Sequence, residues 1–261
     1  MDAADVETVS DTIPTNLRLL LVLEELARVG APVTPTDLNT RLGLPKPTIH
    51  RLFATLEAEG FVQREVDGRS YSAGRRLRTF ATHVLTSLRV RTARVAVLTA
   101  LADEIGETCN VALPDRDAMV YLDRVETKWP LRIQLPIGTQ VPFYCTASGK
   151  MYLASLNASH LSRYLGAARL EPRTAATITD RKALRSEIAQ TREQGYAIDN
   201  EEFMEGMIAI AVPLTDDQDR LLATLSFHAP TQRLSAEAAL RHLDRLKAAA
   251  RELSRLVIDD D

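Results

Sequence analysis

From Pro14 onward, apolar residues recur at helical spacing through Leu17, Leu20, Leu21, Leu23 and Leu26, and the run stops at Gly30. A glycine there can take the left-handed conformation that closes a helix. Ala31-Pro32-Val33 reads as extended, after which Thr36 is placed to cap a short helix from Asp37 to Leu42, ended by Gly43. A third helix follows the Gly43-Leu44-Pro45 turn and runs to about Glu59. Proline pushes the residue before it out of helical angles, so the first full turn is placed at Pro47. Ile49, Leu52, Phe53 and Leu56 form its buried stripe, and Gly60 can close it.

Turned away from that stripe are Pro47, His50, Arg51, Ala54 and Thr55, with Lys46 and Thr48 beside them. Small and basic side chains at the positive end of a helix suit entry between the phosphates of a major groove. A plain solvated face has the same look. The next segment favours DNA: Phe61 to Arg64 reads as a strand, Asp67-Gly68 as a hairpin turn, and Arg69 to Ser72 as the return. Three helices and a small basic hairpin make a winged helix-turn-helix. Its predicted contact set is Thr36, Lys46, Pro47, Thr48, His50, Arg51 and Thr55, with Arg64 and Arg69 on the wing.

Residues 75–104 read as helical, with Leu77, Phe80, Ala81, Val84, Leu85 and Leu88 on one side. That pattern serves a core-facing helix or a subunit-pairing helix equally. Beyond it, strands and helices mix. Val111 to Leu113 and Met119 to Arg124 make one hairpin, and Ile208 to Leu214 and Leu221 to His228 a second. An amphipathic helix spans Thr179 to Glu193, and a closing helix Ser235 to Val257 ahead of an acidic tail, Asp259 to Asp261. The predicted organisation is a winged helix-turn-helix at 12–76, a linker helix at 77–92 and an α/β domain at 93–258.

Charge sharpens this division. The 261 residues carry a net −3, yet residues 16–94 hold 13 Lys/Arg against 7 Asp/Glu, and residues 95–261 hold 19 against 24. A basic first third beside an acidic remainder fits a DNA-contacting module tethered to another domain. No apolar run reaches the roughly 18–20 residues of a membrane span. The acidic start (Asp2, Asp5, Glu7, Asp11) is unlike a secretory signal. Two cysteines, Cys109 and Cys145, do not make a disulfide framework. A cytoplasmic protein with no membrane partner is expected.

The segment GLPKPTIHRLFATLEAEGFV, Gly43 to Val62, resembles the recognition segment of IclR-type transcriptional regulators. The resemblance continues through LADEIGETCN (Leu101 to Asn110), VYLDRV (Val120 to Val125), VPFYCTASGKMYLA (Val141 to Ala154), GYAIDNEEFMEG (Gly195 to Gly206) and IAIAVP (Ile208 to Pro213). Several long motifs in the family's order, over residues 14–257, make it specific. It implies a GAF-like effector-binding α/β domain, a linker helix used in dimerisation, operator DNA and a small organic-acid effector as partners, and a dimer or dimer of dimers. One departure is Pro47, where the family usually has a hydroxyl residue.

The strongest local candidate for ligand contact is the turn Thr146-Ala147-Ser148-Gly149 ahead of a helix from Lys150 to Leu156. Free amides at a helix start attract anions, and ordinary capping by Thr146 or Ser148 explains the same residues. The resemblance implies an effector carboxylate at Ala147 and Ser148, an orienting acid at Asp199, and Ala209, Ser226 and His228 around the pocket. Relatives carry two serines at the last pair, so His228 is a second departure. Phe143, Tyr144, Cys145, Trp129 and Met207 are candidate apolar walls. Enzyme chemistry finds little support. Ser148-Gly149-Lys150 lacks the earlier glycine of a phosphate loop, no Gly-x-Ser-x-Gly or His-Glu-x-x-His is present, and the five histidines show no metal-ligand spacing. No cofactor, metal or catalytic residue is expected.

Overall fold

The computed structural model describes residues 13–85 and 88–258. The chain divides into two compact units, with the boundary between Ser87 and Leu88. The first holds α1 (Arg18–Val29), α2 (Pro35–Leu42), α3 (Lys46–Ala58), a hairpin of β1 (Val62–Arg64) and β2 (Tyr71–Ala73), and α4 (Arg75–Leu85). Val22, Leu26, Leu38, Ile49, Phe53, Leu56 and Val62 form its core, and the Tyr71 ring packs 4.9 Å from that of Phe53. Each large apolar side chain buried this way contributes about 1.5–3 kcal/mol.

Two helix starts differ from the sequence expectation. Thr34, rather than Thr36, caps α2: its Oγ1 accepts from the Asp37 N–H at 3.2 Å and donates to the Asp37 carboxylate at 2.7 Å. Pro35 takes the first helical position, where its missing N–H costs nothing, and the cap moves two residues upstream. The third helix begins at Lys46, because the Pro45 carbonyl accepts from the Thr48 and Ile49 amides and this outweighs the preference of a pre-proline residue for extended angles.

The second unit opens with α5 (Leu88–Ile105) and is built on an antiparallel sheet of order β5-β4-β3-β8-β7-β6. Its strands are β3 (Thr108–Asp115), β4 (Ala118–Val125), β5 (Gln140–Pro142), β6 (Ala197–Asn200), β7 (Met207–Thr215) and β8 (Leu221–Pro230). Between them lie α6 (Ala147–Ser155), α7 (Ala158–Ala167) and α8 (Arg181–Gln194), and α9 (Ala236–Leu240) and α10 (Leu243–Ile258) close the chain. The expected single closing helix is two, parted at Arg241 and His242. The 77–92 linker falls on α4 and the start of α5, with residues 86–87 outside the described residues, as is the acidic tail.

Alternation gives the sheet two faces. Val111, Ile208, Ile210, Leu225 and Phe227 join the apolar layer made with α5 and α10. The other face carries small residues, Ala112, Ala197, Ala209 and Ala211, and α6 lies across it. A Cβ on Gly149 would stand 2.3 Å from the Phe143 Cα, so only glycine lets α6 seat this closely. Arg94 on α5 and Asp123 on β4, both 1% exposed, pair at 2.7 Å and tie the first helix of this unit to its sheet.

Candidate functional site

In the first unit, the face of α3 away from Ile49, Phe53 and Leu56 presents Lys46, Pro47, His50, Arg51 and Thr55 to solvent, with Thr48 half-buried beside them. Lys46, His50 and Arg51 have no ion-pair partner among the described residues, and the Thr55 hydroxyl donates to the Arg51 carbonyl at 3.0 Å. Thr36 is exposed on α2. The two wing arginines part company. Arg69 is exposed at the hairpin tip, where Asp67 Oδ1 accepts from the Arg69 and Ser70 amides at 2.8 and 2.9 Å. The Ser70 hydroxyl, then the Ser70 and Arg69 amides, pull the Asp67 carboxyl down to about 2. Arg64 instead turns back to α3, with Nε 3.1 Å and an Nη 2.9 Å from the two Glu57 oxygens, and lies over the Tyr71 ring. It braces the wing.

In the second unit, Thr146 caps α6, and the helix starts at Ala147 rather than Lys150. The threonine supplies both halves of a cap: Oγ1 accepts from the Gly149 N–H at 3.1 Å, and the Thr146 carbonyl accepts from Lys150. Gly149 is thereby spent on capping and packing. The first two amides, Ala147 and Ser148, have no acceptor within the helix and carry the positive end of its dipole. Beneath them, Ser148 Oγ lies 3.3 Å from Ser226 Oγ on β8.

The strand register brings the remaining candidates to the same face. Asp199 pairs with Ala209, and Ala209 with His228, so the acid and the imidazole flank a methyl group. Asp199 Oδ1 accepts from the Glu202 and Phe203 amides at 2.8 and 3.2 Å, which makes it a turn-closing residue. Its Oδ2 and His228 Nε2 are buried without partners. Burial, with the Glu202 carboxylate nearby, raises Asp199 to about 7. Burial, reinforced by the Arg124 guanidinium, lowers His228 to about 4 against smaller pulls from the Ile133 carbonyl and Glu126. Cys145 and Met207 are buried, and burial lifts the Cys145 thiol to about 12, far from a reactive thiolate.

Three of the expected walls prove to be something else. Trp129 is 53% exposed and stacks under Arg233. Phe143 belongs to the core, its ring centroid 4.6 Å from that of Tyr152 and 5.8 Å from that of Tyr164. The Tyr144 hydroxyl donates to the Glu171 carbonyl. Five further polar residues, not among the predicted contacts, are part of this region. Asn110 sits 3.1 Å from His228 Nδ1 and accepts from Arg124 at 2.9 Å. Lys150, buried on α6, pairs with Glu187 of α8 at 2.7 Å and with Glu202, whose amide Asp199 holds. Asn110, Arg124, Lys150 and Glu202 lie inside the family-like motifs, but nothing in those motifs assigns them a role.

Among the described residues no three His, Cys, Asp or Glu are placed to hold a metal ion, and no helix is long and apolar enough to cross a membrane. Comparison with known proteins matches residues 17–66 to the IclR helix-turn-helix domain and residues 82–255 to the C-terminal domain of bacterial IclR transcriptional regulators. The chain is 38% identical over 237 residues to the probable transcriptional regulator SauR of Cupriavidus necator, covering 91% of this chain and 94% of that one. The crystal structure of the Thermotoga maritima IclR superposes with a TM-score of 0.62 at 29% identity, over 92% of this chain and 97% of that one. An IclR homologue from Microbacterium hydrocarbonoxydans complexed with 4-hydroxybenzoate shares the fold at 22% identity and a TM-score of 0.59, over 91% and 99% of the two chains. A helix-turn-helix unit with an exposed basic face on its third helix, followed by an α/β unit with a curled antiparallel sheet, completes the agreement: this chain belongs to the IclR family of transcriptional regulators, which are DNA-binding proteins rather than enzymes.

Proposed function

We propose that this protein is an effector-controlled regulator of a catabolic operon, working in the cytoplasm as a homodimer or a dimer of dimers, whose ligand is a small organic acid. The observation that carries the reading is that α6 begins at Ala147 across a sheet face where Ser148 meets Ser226 and where Asp199 and His228 each hold a buried atom without a well-formed hydrogen bond. Buried polar groups without partners are uncommon and point to a ligand that completes them. Ser226 and Ala209 form the floor, and Cys145 and Met207 add apolar surface. The 4-hydroxybenzoate bound by the Microbacterium homologue is a carboxylate of this kind.

On the DNA side, Lys46, Thr48, His50, Arg51 and Thr55 enter a major groove, with Thr36 and Arg69 on flanking backbone and Arg64 holding the wing. Pro47 offers neither a hydroxyl nor an N–H, which removes one polar contact and favours apolar contact with a thymine methyl. The residues 77–92 link the 12–76 DNA-binding domain to the 93–258 effector domain and supply a pairing surface: Phe80 and Val84 on α4 are 61% and 51% exposed. Effector binding shifts the populations of two dimer arrangements and so the spacing of the two recognition helices.

The test is a thermal-shift screen of the full chain against carboxylic acids, followed by operator binding with each hit. A genuine effector stabilises by mass action and changes operator affinity. Asp199→Ala should retain DNA binding and lose the ligand response. Loss of DNA binding in the absence of ligand would make Asp199 purely structural.

A further inference from the structure

Arg124 is a donor only, because a guanidinium has no acceptor atom. The Asn110 atom that meets it at 2.9 Å is therefore the carbonyl Oδ1, which fixes the orientation of the amide. The other end, Nδ2, is then the atom 3.1 Å from His228 Nδ1, and an NH2 group can only donate. His228 Nδ1 must accept, so it bears no proton. A buried neutral imidazole with a bare Nδ1 carries its proton on Nε2. That Nε2 is buried without a well-formed hydrogen bond, and the Ile133 carbonyl that pulls on the ring is already held by Arg124. An imidazolium is excluded by the same chain of bonds, since its Nδ1–H would oppose the amide hydrogens.

The neighbours agree with this arrangement. Arg124 is itself 3% exposed and fixed by Glu126 at 3.2 Å and by the Ile133 carbonyl, so the relay begins from a clamped cation. Asn110 is fully buried between β4 and β8. Ala209, next to His228 in the register, has no polar side chain to satisfy Nε2.

We infer that the Arg124–Asn110–His228 relay presents a single N–H donor that selects effectors bearing a hydrogen-bond acceptor oxygen, a carbonyl or hydroxyl, distant from their carboxylate. This rests on the proposed anion site at Ala147 and Ser148. Ser226, beneath that site, and His228 are two residues apart on one strand, about 7 Å. The acceptor oxygen thus lies several bonds from the carboxylate, as in 4-oxopentanoate or 4-hydroxybenzoate. Pentanoate and benzoate leave the Nε2–H unsatisfied. A terminal ammonium, which only donates, opposes it. Asn110 and Arg124 are positioning residues that act through His228.

Two measurements on the full-length protein test this. Long-range 1H–15N correlation of the imidazoles, with His228 assigned from a His228→Gln spectrum, should show the neutral Nε2–H tautomer at pH 7. A neutral Nδ1–H ring or an imidazolium would overturn the inference. Calorimetric titration should then rank 4-oxopentanoate above pentanoate and 4-hydroxybenzoate above benzoate by about tenfold, with 5-aminopentanoate no better than pentanoate. His228→Phe and Asn110→Leu should erase that ranking, so that the two members of each pair bind equally, and His228→Gln, which keeps an N–H donor, should restore part of it. Equal affinities within each pair in the wild type would sink the selectivity with the anion site intact. If no carboxylate binds at all, the anion site is wrong, and the spectrum alone decides the state of His228.

Discussion

On α3 the polar side chains stand in water with nothing to lose, whereas on the inner face of the second unit's sheet two polar atoms are buried unpaired. Water satisfies Lys46, His50 and Arg51, so the proposed recognition face imposes no cost on the fold. Asp199 and His228 impose a continuous one, because burial disfavours the charged form of each and one buried atom of each lacks a well-formed hydrogen bond. A surface that reads DNA by shape and charge can be assembled on any well-packed helix. A site for one small molecule needs polar groups held dry in advance, and the surrounding fold must supply the stability to hold them. The same sheet therefore carries an apolar face against α5 and α10 and a buried ion pair, Arg94–Asp123, at its margin.

Breaking that ion pair should produce the largest stability change in the molecule. Asp123→Ala strips the buried Arg94 guanidinium of this carboxylate, a loss of about 3–5 kcal/mol. At about 2–4 °C per kcal/mol, the melting temperature of the second unit should fall by roughly 6–20 °C in calorimetry. A shift of only ~1 °C would show that buried polar groups here are no costlier than those on α3. Arg51→Ala is the opposite experiment. Specific operator affinity should drop by roughly 1–3 kcal/mol in fluorescence anisotropy with no change in melting temperature. Unchanged affinity would remove α3 from the reading of DNA.

How much of each surface the sequence discloses follows the same division. The recognition face is local: Lys46 to Thr55 are consecutive, and the 3.6-residue period alone assigns their directions. The two hairpins are likewise visible in the sequence, expected at Val111 to Arg124 and Ile208 to His228 and observed slightly longer, at Thr108–Val125 and Met207–Pro230. The proposed effector face is not local. Asn110 and His228 lie 118 positions apart and meet only through the β3–β8 register, which no pattern along the chain states. Asp199, Ser226 and His228 are legible only through resemblance to the family, and the resemblance gives Arg124 no role. Smaller misses share a cause as well. Thr34 displaced Thr36 because a proline at the first helical position fixes the cap. The break between α9 and α10 carries neither glycine nor proline, so only tertiary packing marks it.

A milder perturbation addresses the stored cost of the effector face directly. Asp199 has its folded pKa raised to about 7 from an ordinary value of 3.8, so the folded state holds an extra proton between those values. Its destabilising contribution is absent below about 4, grows as pH rises, and is complete above about 7. His228, lowered to about 4, runs the other way: the folded state resists protonation, and stability falls as pH drops from about 6.5 toward 4. Asp199→Asn, nearly isosteric and uncharged, should therefore raise the melting temperature by a few degrees at pH 8 and leave it unchanged at pH 4, about 2–4 °C for each kcal/mol. An equal effect at both pH values would show that the carboxylate is not titrating across this window.

The smallest expected effect decides whether the wing belongs with the solvated recognition face or with the braced interior. Glu57 and Arg64 are about a third and a half exposed, and a pair like this contributes about 0–1 kcal/mol. If Arg64 braces the hairpin against α3, Glu57→Gln and Arg64→Ala should each weaken operator binding only slightly. The double variant should be no worse than either single one, and the salt dependence of binding should be unchanged. If Arg64 instead reaches a phosphate, the two substitutions act in opposite directions. Arg64→Ala then lowers the salt slope by about one contact, and Glu57→Gln tightens binding by releasing the guanidinium from its competing carboxylate. Arg69→Ala supplies the reference within the same hairpin. Its side chain is exposed at the tip, and its loss should reduce the salt slope whichever role Arg64 takes.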